Sequence, residues 1–282
     1  QLILGSYSDL LERSFANLTK SDEAISVSSA TTALQIALRY ADVSGGEVIV
    51  PAASFITDVS AIQMEAAKPV LVDIDKETLT FDIEDLIRKI NPNTRAIIWI
   101  HLVGYIGKDY KKIQDIAKQN NIFLIEDCSH AHGAKIDNKT AGSLGDAAIF
   151  SFYPTKILTS GTGGMITTND KELAKTARSL RVFGKDHETN EVVLQGNDWI
   201  LDEFRCSICY NQFLFLEKNL TIRRNIAKKY IKAFKEINAI KLLETPENLE
   251  PSWYQFPIFI NENINPLKIN KYGIVEPVSK KK

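Results

Sequence analysis

Apolar and polar positions alternate along this chain in two rhythms. Short runs that are almost wholly apolar, at residues 25–28, 47–50, 69–74, 95–100, 122–125, 147–152 and 165–168, read as strands. Between several of them lie stretches with helical spacing. Residues 31–40 carry Leu34, Ala37 and Leu38 on one face, and 56–66 and 108–120 have helical length. Residues 82–90 open on Asp82, a good N-cap, with Asp85 in the first turn where the helix dipole favours a carboxylate. The unbroken apolar character of 69–74 suits a buried parallel strand, so the expected fold class is α/β with a mixed, mostly parallel sheet flanked by helices. From Leu201 the pattern becomes one long helix to about residue 234, of the kind that bridges two domains. Beyond Lys241 only 253–260 reads as a strand. The division expected is a large domain over 1–200, then a bridging helix and part of a smaller domain over 201–282. There is no internal repeat.

Composition narrows the picture. The 282 residues are 44% hydrophobic, enough for a sizeable core. With 34 Lys+Arg against 35 Asp+Glu, no charge excess points to nucleic acid or an anionic membrane as partner. Lys280-Lys281-Lys282 reads as a solvated tail. Three cysteines are too few for a disulfide framework and fit a reducing compartment, so a cytoplasmic location is expected. Cys206 and Cys209 form a C-x-x-C in a helical stretch with no second Cys pair or nearby His, which reads as helix packing and not as a metal site. No apolar run approaches the roughly 18 residues of a membrane span, and residues 1–6 lack a signal pattern. A chain opening on Gln1 reads as a fragment or a processed form.

Candidate chemistry gathers at three strand ends. In Phe150-Ser151-Phe152-Tyr153-Pro154-Thr155-Lys156, followed by Thr159-Ser160-Gly161-Thr162-Gly163-Gly164, a turn lysine beside hydroxyls and glycines can offer its amine to a carbonyl as a Schiff base. Taken alone, such a lysine is more often a surface residue. In Ile125-Glu126-Asp127-Cys128-Ser129-His130 two carboxylates end an apolar strand, where ligands of open α/β sheets collect. A carboxylate there can keep a pyridine nitrogen protonated, and Asp127 suits that task, though it could equally cap a loop. Ser28-Ser29-Ala30-Thr31-Thr32-Ala33-Leu34 opens a helix with free N–H groups and hydroxyls, either a phosphate cradle or ordinary capping.

Together these segments resemble the DegT/DnrJ/EryC1/StrS family of sugar aminotransferases, which share the fold-type I architecture of aspartate aminotransferase. The resemblance runs in register from about Ser28 to Tyr230. It takes in Val48-Ile49-Val50-Pro51 with Phe55, Lys68-Pro69-Val70-Leu71-Val72-Asp73-Ile74-Asp75, His101-Leu102-Val103-Gly104, Asp127-Cys128-Ser129-His130-Ala131-His132-Gly133-Ala134 and Gly163-Gly164-Met165-Ile166-Thr167-Thr168-Asn169-Asp170. It implies pyridoxal 5'-phosphate as cofactor, a nucleotide-linked keto sugar as acceptor, an amino acid (L-glutamate) as donor, and a homodimer. Lys156 would hold the cofactor and move the proton, and Asp127 would pair with the ring nitrogen. His130 would bond the ring hydroxyl, Phe55 stack on the ring, and Thr31, Thr32 and Ser151 contact the phosphate.

Two departures stand out. Asp198-Trp199-Ile200 occupies the place of an Asn-x-Arg element that reaches the neighbouring subunit's cofactor site, and an Asp there would repel a phosphate. The small-domain sheet expected after Ile260 is largely missing. Arg181, Lys185 and Arg205 flank the same loop and are candidates for a substrate diphosphate. Of the rival readings, a dehydratase of the same fold has a histidine in place of Lys156. A nucleotide-binding oxidoreductase would need G-x-G-x-x-G or G-x-x-x-x-G-K-[ST], which do not occur. A chain that binds cofactor without turnover is the third.

Overall fold

The computed structural model describes residues 1–186 and 188–260, with a further short pairing of Lys268–Ile269 and Val275–Glu276. The expected small-domain sheet after Ile260 and the terminal lysines lie outside the described residues. In chain order the elements are α1 (Ser6–Thr19), β1 (Glu23–Val27), α2 (Ala30–Tyr40), β2 (Glu47–Pro51), α3 (Ile56–Met64), β3 (Lys68–Val72), α4 (Ile83–Lys89), β4 (Thr94–Ile100), α5 (Tyr110–Gln119) and β5 (Phe123–Asp127). There follow β6 (Lys135–Ile136), β7 (Lys139–Thr140), β8 (Ala147–Ser151), β9 (Gly164–Thr168), α6 (Lys171–Leu180), α7 (Glu203–Phe213), α8 (Leu216–Phe234), β10 (Ile240–Leu242), β11 (Leu249–Glu250) and β12 (Ile258–Ile260).

Seven strands form the main sheet in the order β1-β9-β8-β5-β4-β2-β3. The pairs from β8 through β3 are parallel, and β9 alone runs against its neighbours β1 and β8. Strand side chains alternate between two cores. Ile97, Trp99, Leu124 and Phe150 pack with Leu11, Phe15, Leu86 and Ile113 of α1, α4 and α5. Ile98, Ile100, Ile125 and Ile149 pack with Leu34, Ile62 and Leu173 of α2, α3 and α6. The architecture is thus the three-layer α/β fold expected.

Asp82 caps α4 as expected, its side chain accepting the Asp85 N–H. Cys206 and Cys209 are buried, unpaired packing residues of α7. Two expectations need correction. The single long helix is two, interrupted at Leu214 and Phe215, both exposed. Leu214 and Phe215 leave the core between the packed Phe213 and Leu216, and Gln212 just before them turns its amide to Thr159, donating to the carbonyl at 2.8 Å and accepting the N–H at 3.2 Å. The run at 253–260 is a strand only over β12, because Trp253 takes a left-handed conformation (φ 50°) and the Trp253 and Tyr254 carbonyls accept from Arg223 instead of a ladder. Helices α1 and α6 are additional to the expected elements; α6 buries Leu173, Ala174, Ala177 and Leu180 along one face, and α1 buries Leu11 and Phe15. Glu203 binds α1, accepting the N–H groups of Gly5, Tyr7 and Ser8 at 2.9 Å each.

Gly164 opens β9 against the start of α2. A Cβ there would sit 2.5–2.6 Å from backbone atoms of Ser29 and Ala30. Gly164→Ala should therefore cost about 1–3 kcal/mol by overpacking and push the α2 N-terminus outward. A lowered urea midpoint with an unchanged slope is the measurement; an unaltered midpoint would contradict the close approach.

Candidate active site

The chemistry-bearing segments meet at one end of the sheet. Asp127 ends β5 opposite Ile149 of β8 and Ile100 of β4, while Ser151 ends β8 opposite Gly164, which also pairs with Val27 at the end of β1. Period-2 alternation then assigns the faces. Leu124 and Cys128 belong to the core under α1 and α5, and Ile125 to the core under α2 and α3. Asp127, two residues from Ile125, faces α2 and α3.

On that face Ser29 caps α2, its hydroxyl accepting the Thr32 N–H at 3.0 Å. The Thr32 hydroxyl is shared with Ser28 (3.1 Å) and Ser29 (2.9 Å), so it braces the turn. The N–H groups of Ala30 and Thr31 have no partner among the described residues, which leaves a helix N-terminus with donors free for an anion. Ser151 is buried, its hydroxyl accepting the Tyr153 N–H at 3.3 Å. Phe55, at the N-cap of α3, is 66% exposed.

Lys156 is held in a turn by its N–H to the Tyr153 carbonyl (2.9 Å). Burial lowers its pKa, while the charges of Asp127 and Asp58 pull it back up. Asp127 accepts the Ser129 N–H at 2.8 Å. His130 is pushed down to about 4 by burial and by the Lys156 charge, and His132 to about 3 for the same reasons in the same order. Both imidazoles are thus neutral near pH 7, and His130 Nδ1 is buried without a partner. The site is an amine, a carboxylate, a neutral imidazole with an orphaned nitrogen, and a helix N-terminus.

Two further residues carry no mark in the sequence pattern. Tyr254 stacks on His130 (centroids 4.3 Å apart, 17° between planes), lies 4.9 Å from Lys156 Nζ and donates to the Thr155 hydroxyl at 2.9 Å. No residue spacing points to it, since it comes from the segment after α8. Asp58, buried in the first turn of α3, accepts the Phe55 N–H at 3.1 Å, and burial and the Asp127 charge push its carboxyl up to about 8. Its spacing of three from Phe55 is that of a capping acid.

Beneath the site, Glu126 is a fully buried brace. It accepts the N–H groups of Leu144 (2.5 Å), Gly145 (2.8 Å) and Gly142 (2.9 Å) and pairs with His101 Nε2 at 2.8 Å. His101, Glu126 and Cys128 place ligand-type atoms within 4.8 Å of one another. Glu126 is already saturated by these donors, and burial and the Glu126 charge hold the Cys128 thiol well above its usual pKa. The cluster is a structural network.

The family model of the DegT/DnrJ/EryC1/StrS aminotransferases matches residues 1–278. The chain belongs to this family. A dTDP-3-amino-3,6-dideoxy-alpha-D-galactopyranose transaminase of Aneurinibacillus thermoaerophilus is 38% identical over 262 residues, covering 92% of this chain and 71% of that protein. A UDP-N-acetyl-3-dehydro-alpha-D-glucosamine 3-aminotransferase of Acidithiobacillus ferrooxidans is 35% identical over 261 residues, covering 92% and 70%. Among solved structures, S. venezuelae DesV matches with a TM-score of 0.88 at 30% identity, covering 93% of this chain and 71% of that one.

Enzymes of the DegT/DnrJ/EryC1/StrS family are pyridoxal-phosphate-dependent aminotransferases. The residues present fit that cofactor: a phosphate matches the free donors at Ala30 and Thr31, a ring hydroxyl matches the orphaned His130 Nδ1, and an aldehyde matches the Lys156 amine. Arg181 does not serve the diphosphate role considered for it. It is buried, bonding Glu12 at 2.6 Å and the Ser26 carbonyl at 2.9 Å. Arg205 is paired with Asp202 on the first turn of α7. Asp198 is exposed and bridges Val182, while the Trp199 carbonyl beside it accepts the Ser28 N–H at 2.8 Å. This loop therefore buttresses the strand leading into the helix cradle.

Glu126→Gln would replace an acceptor by an amide N–H₂ facing backbone donors, leaving at least one buried N–H unsatisfied. The expected loss is about 3 kcal/mol of folding stability, read from chemical denaturation of the cofactor-free protein. Wild-type stability in this variant would contradict the brace.

Proposed function

We propose that this aminotransferase moves an amino group from an amino acid, L-glutamate, to the carbonyl of a nucleotide-linked keto sugar. The observation that carries the reading is the Lys156 amine, held beside Asp127 and a neutral His130 next to a helix N-terminus with free donors. The sugar acceptor is supported by the relatives named as nucleotide-sugar transaminases, and by register around Ser151 to Lys156 and Asp127 to Ala134.

When bound, the cofactor supplies a protonated ring that draws off the electrons of the bond being broken. The Asp127 carboxylate would keep the ring nitrogen protonated, and His130 Nδ1, buried without a partner, would bond the ring hydroxyl. Phe55, exposed at the head of α3, would pack on the ring. The Ala30 and Thr31 N–H groups, with the hydroxyls of Thr31, Thr32 and Ser151, hold the phosphate. Lys156 Nζ would take the proton from the substrate carbon and pass it to the cofactor, so that the proton changes carbon as the amino group is transferred. Its lowered pKa increases the neutral amine available for that task.

The working assembly in this proposal is a homodimer. Phe55 and Ile56, exposed at the site, and Phe204, Ile208 and Phe215 of the α7–α8 region offer an apolar surface for a second subunit. Residues 1–200 act as the cofactor-binding domain, followed by a bridging region and part of a smaller domain. Among the described residues no helix is long and apolar enough to cross a membrane, and a cytoplasmic setting is part of the same proposal.

Lys156→Ala should abolish cofactor attachment and lower turnover by at least about 10²- to 10⁴-fold through the lost proton transfer. Asp127→Asn should keep some cofactor but lose most activity. Borohydride reduction of the wild type should leave the cofactor on Lys156; label on another lysine sinks the assignment. The pyridoxamine form, offered a panel of keto-sugar nucleotides, should aminate one of them. Rapid turnover of simple 2-oxo acids alone would remove the sugar and keep the transaminase. A visible band that no amine donor perturbs would mark a chain that binds without turnover.

For the assembly, sedimentation should report a dimer. A monomer that still transaminates would refute it.

A further inference from the structure

We propose that Tyr254 is a positioning residue of this site, its ring fixing the plane of the His130 imidazole and so the direction in which Nδ1 faces a ligand. The inference rests on the pyridoxal-phosphate reading of the site and adds to it a residue from outside the segments that would hold the cofactor.

A histidine ring has only a broad preference about its Cβ–Cγ bond, so a hydrogen bond or a packing partner must choose its orientation. Among the described residues no hydrogen bond does so for His130, and its Nδ1 is buried without a partner. The packing partner is Tyr254, stacked face to face with centroids 4.3 Å apart and 17° between planes. A half-turn exchanging Nδ1 with Cδ2 would have to pass edge-on into the tyrosine ring, which so short a spacing resists.

Tyr254 is itself tied down. Its hydroxyl donates to the Thr155 hydroxyl at 2.9 Å, next to Lys156. Two residues earlier, Ser252 is fully buried and donates to the His130 carbonyl at 2.8 Å, so one short segment grips His130 by its backbone and by its ring. The Ser252 N–H donates to the Gly104 carbonyl at 3.0 Å, and Gly104 (φ 86°) leaves the room for that approach, since a Cβ there would collide with Ser252 Oγ and the His130 carbonyl oxygen. Arg223 of α8 fixes the residue between them, donating to the Trp253 carbonyl at 3.1 Å.

The Tyr254 ring also lies 4.9 Å from Lys156 Nζ, close enough to favour the ammonium form. An amine must lose that charge before it joins an aldehyde, so this contact opposes attachment of the cofactor. The two contacts of the one ring thus pull a binding measurement in opposite directions, and weaker binding on losing the ring reads the His130 contact.

Tyr254→Phe keeps the stack, whereas Tyr254→Leu removes it. In the cofactor-free protein the His130 ring protons, lying against an aromatic face, should resonate upfield of their position in Tyr254→Leu, and Tyr254→Phe should keep the wild-type shift. The chain has four histidines, and the signal lost in His130→Gln assigns this one. The His101 signal, from a ring 4.4 Å from Trp99, should stay in place and show that the fold is kept; Tyr254→Met is the substitute if it does not. For pyridoxal 5'-phosphate, Tyr254→Leu should raise Kd about three- to tenfold and Tyr254→Phe by less than about twofold. Made in His130→Gln, Tyr254→Leu should raise Kd by less than about twofold more, whereas a purely structural role would repeat the full loss there. The proposal is overturned by an unmoved His130 signal in Tyr254→Leu, by a wild-type Kd in that variant, by a Tyr254→Phe as impaired as Tyr254→Leu, or by additive losses in the double variant. A wild type that takes up no pyridoxal phosphate would sink the cofactor reading, while the signals of the cofactor-free protein would still decide the stack.

Discussion

The negative charge of Asp127 has to be kept at the end of a central strand with almost no water around it. Desolvation alone would neutralise such a carboxylate, and each neighbour can be understood by how it offsets that cost. Ser129 donates its N–H at 2.8 Å, and Lys156 stands within electrostatic reach as the countercharge. Lys156 in turn is half-buried, so its own charge is disfavoured and depends on the carboxylates. The carboxylates thus offset part of what burial takes from the Lys156 charge. A ligand entering between Lys156 and Asp127 with its own positive ring nitrogen and its own aldehyde would exchange both interactions for better ones.

Strand β5 separates this chemistry from the scaffold by the simplest rule of the pleat. Glu126 and Asp127 are adjacent acids with opposite fates because their side chains leave the sheet on opposite faces. Glu126 turns to the core under α1 and α5, where three backbone N–H groups and His101 saturate it. The loop at 142–145 is thereby anchored to β5. Asp127 turns to α2 and α3, where its partners are fewer and an oxygen is left for a ligand. A one-residue slip of β5 would exchange these roles and disable both.

That division explains which residues are legible in the sequence. Those placed by strand ends are: Asp127, Ser151 and Lys156 follow apolar runs, and the Ser/Thr turn at 28–32 opens a helix whose Leu34, Ala37 and Leu38 mark its buried face. Those placed by tertiary packing are not. Tyr254 reaches His130 and Lys156 from the segment beyond α8, and that segment is steered by Arg223 and by Ser252, which donates to the His130 carbonyl at 2.8 Å. Nothing in the chain around Asp58 announces Asp127 of β5, whose charge acts on it. The break at Leu214 and Phe215 is hidden because those residues are as apolar as the helix around them. Arg181 looks available for a diphosphate because nothing in its neighbourhood in the chain announces Glu12, which bonds it from α1.

The one reversed strand has a geometric consequence for the site. Strand β9 lies between β1 and β8, so the turn after β1 that feeds α2 starts two strands further from β5 than it would if β1 lay directly beside β5. At a spacing of about 4.8 Å per strand, three spacings put β1 some 14 Å from Asp127, a long way for a phosphate site and a ring-nitrogen site to share one small molecule. Gly164 shortens that distance. Because it has no Cβ, Ser29 and Ala30 can lie directly against β9, and the free N–H groups at the head of α2 start about two spacings, roughly 10 Å, from β5. Ser151, which pairs with Gly164 at the end of β8, occupies the interval. In the proposed site, the head of α2 and the buried carboxylate are therefore far enough apart that a phosphate and Asp127 would not repel strongly, and close enough to be bridged. The residue controlling that separation has no side chain.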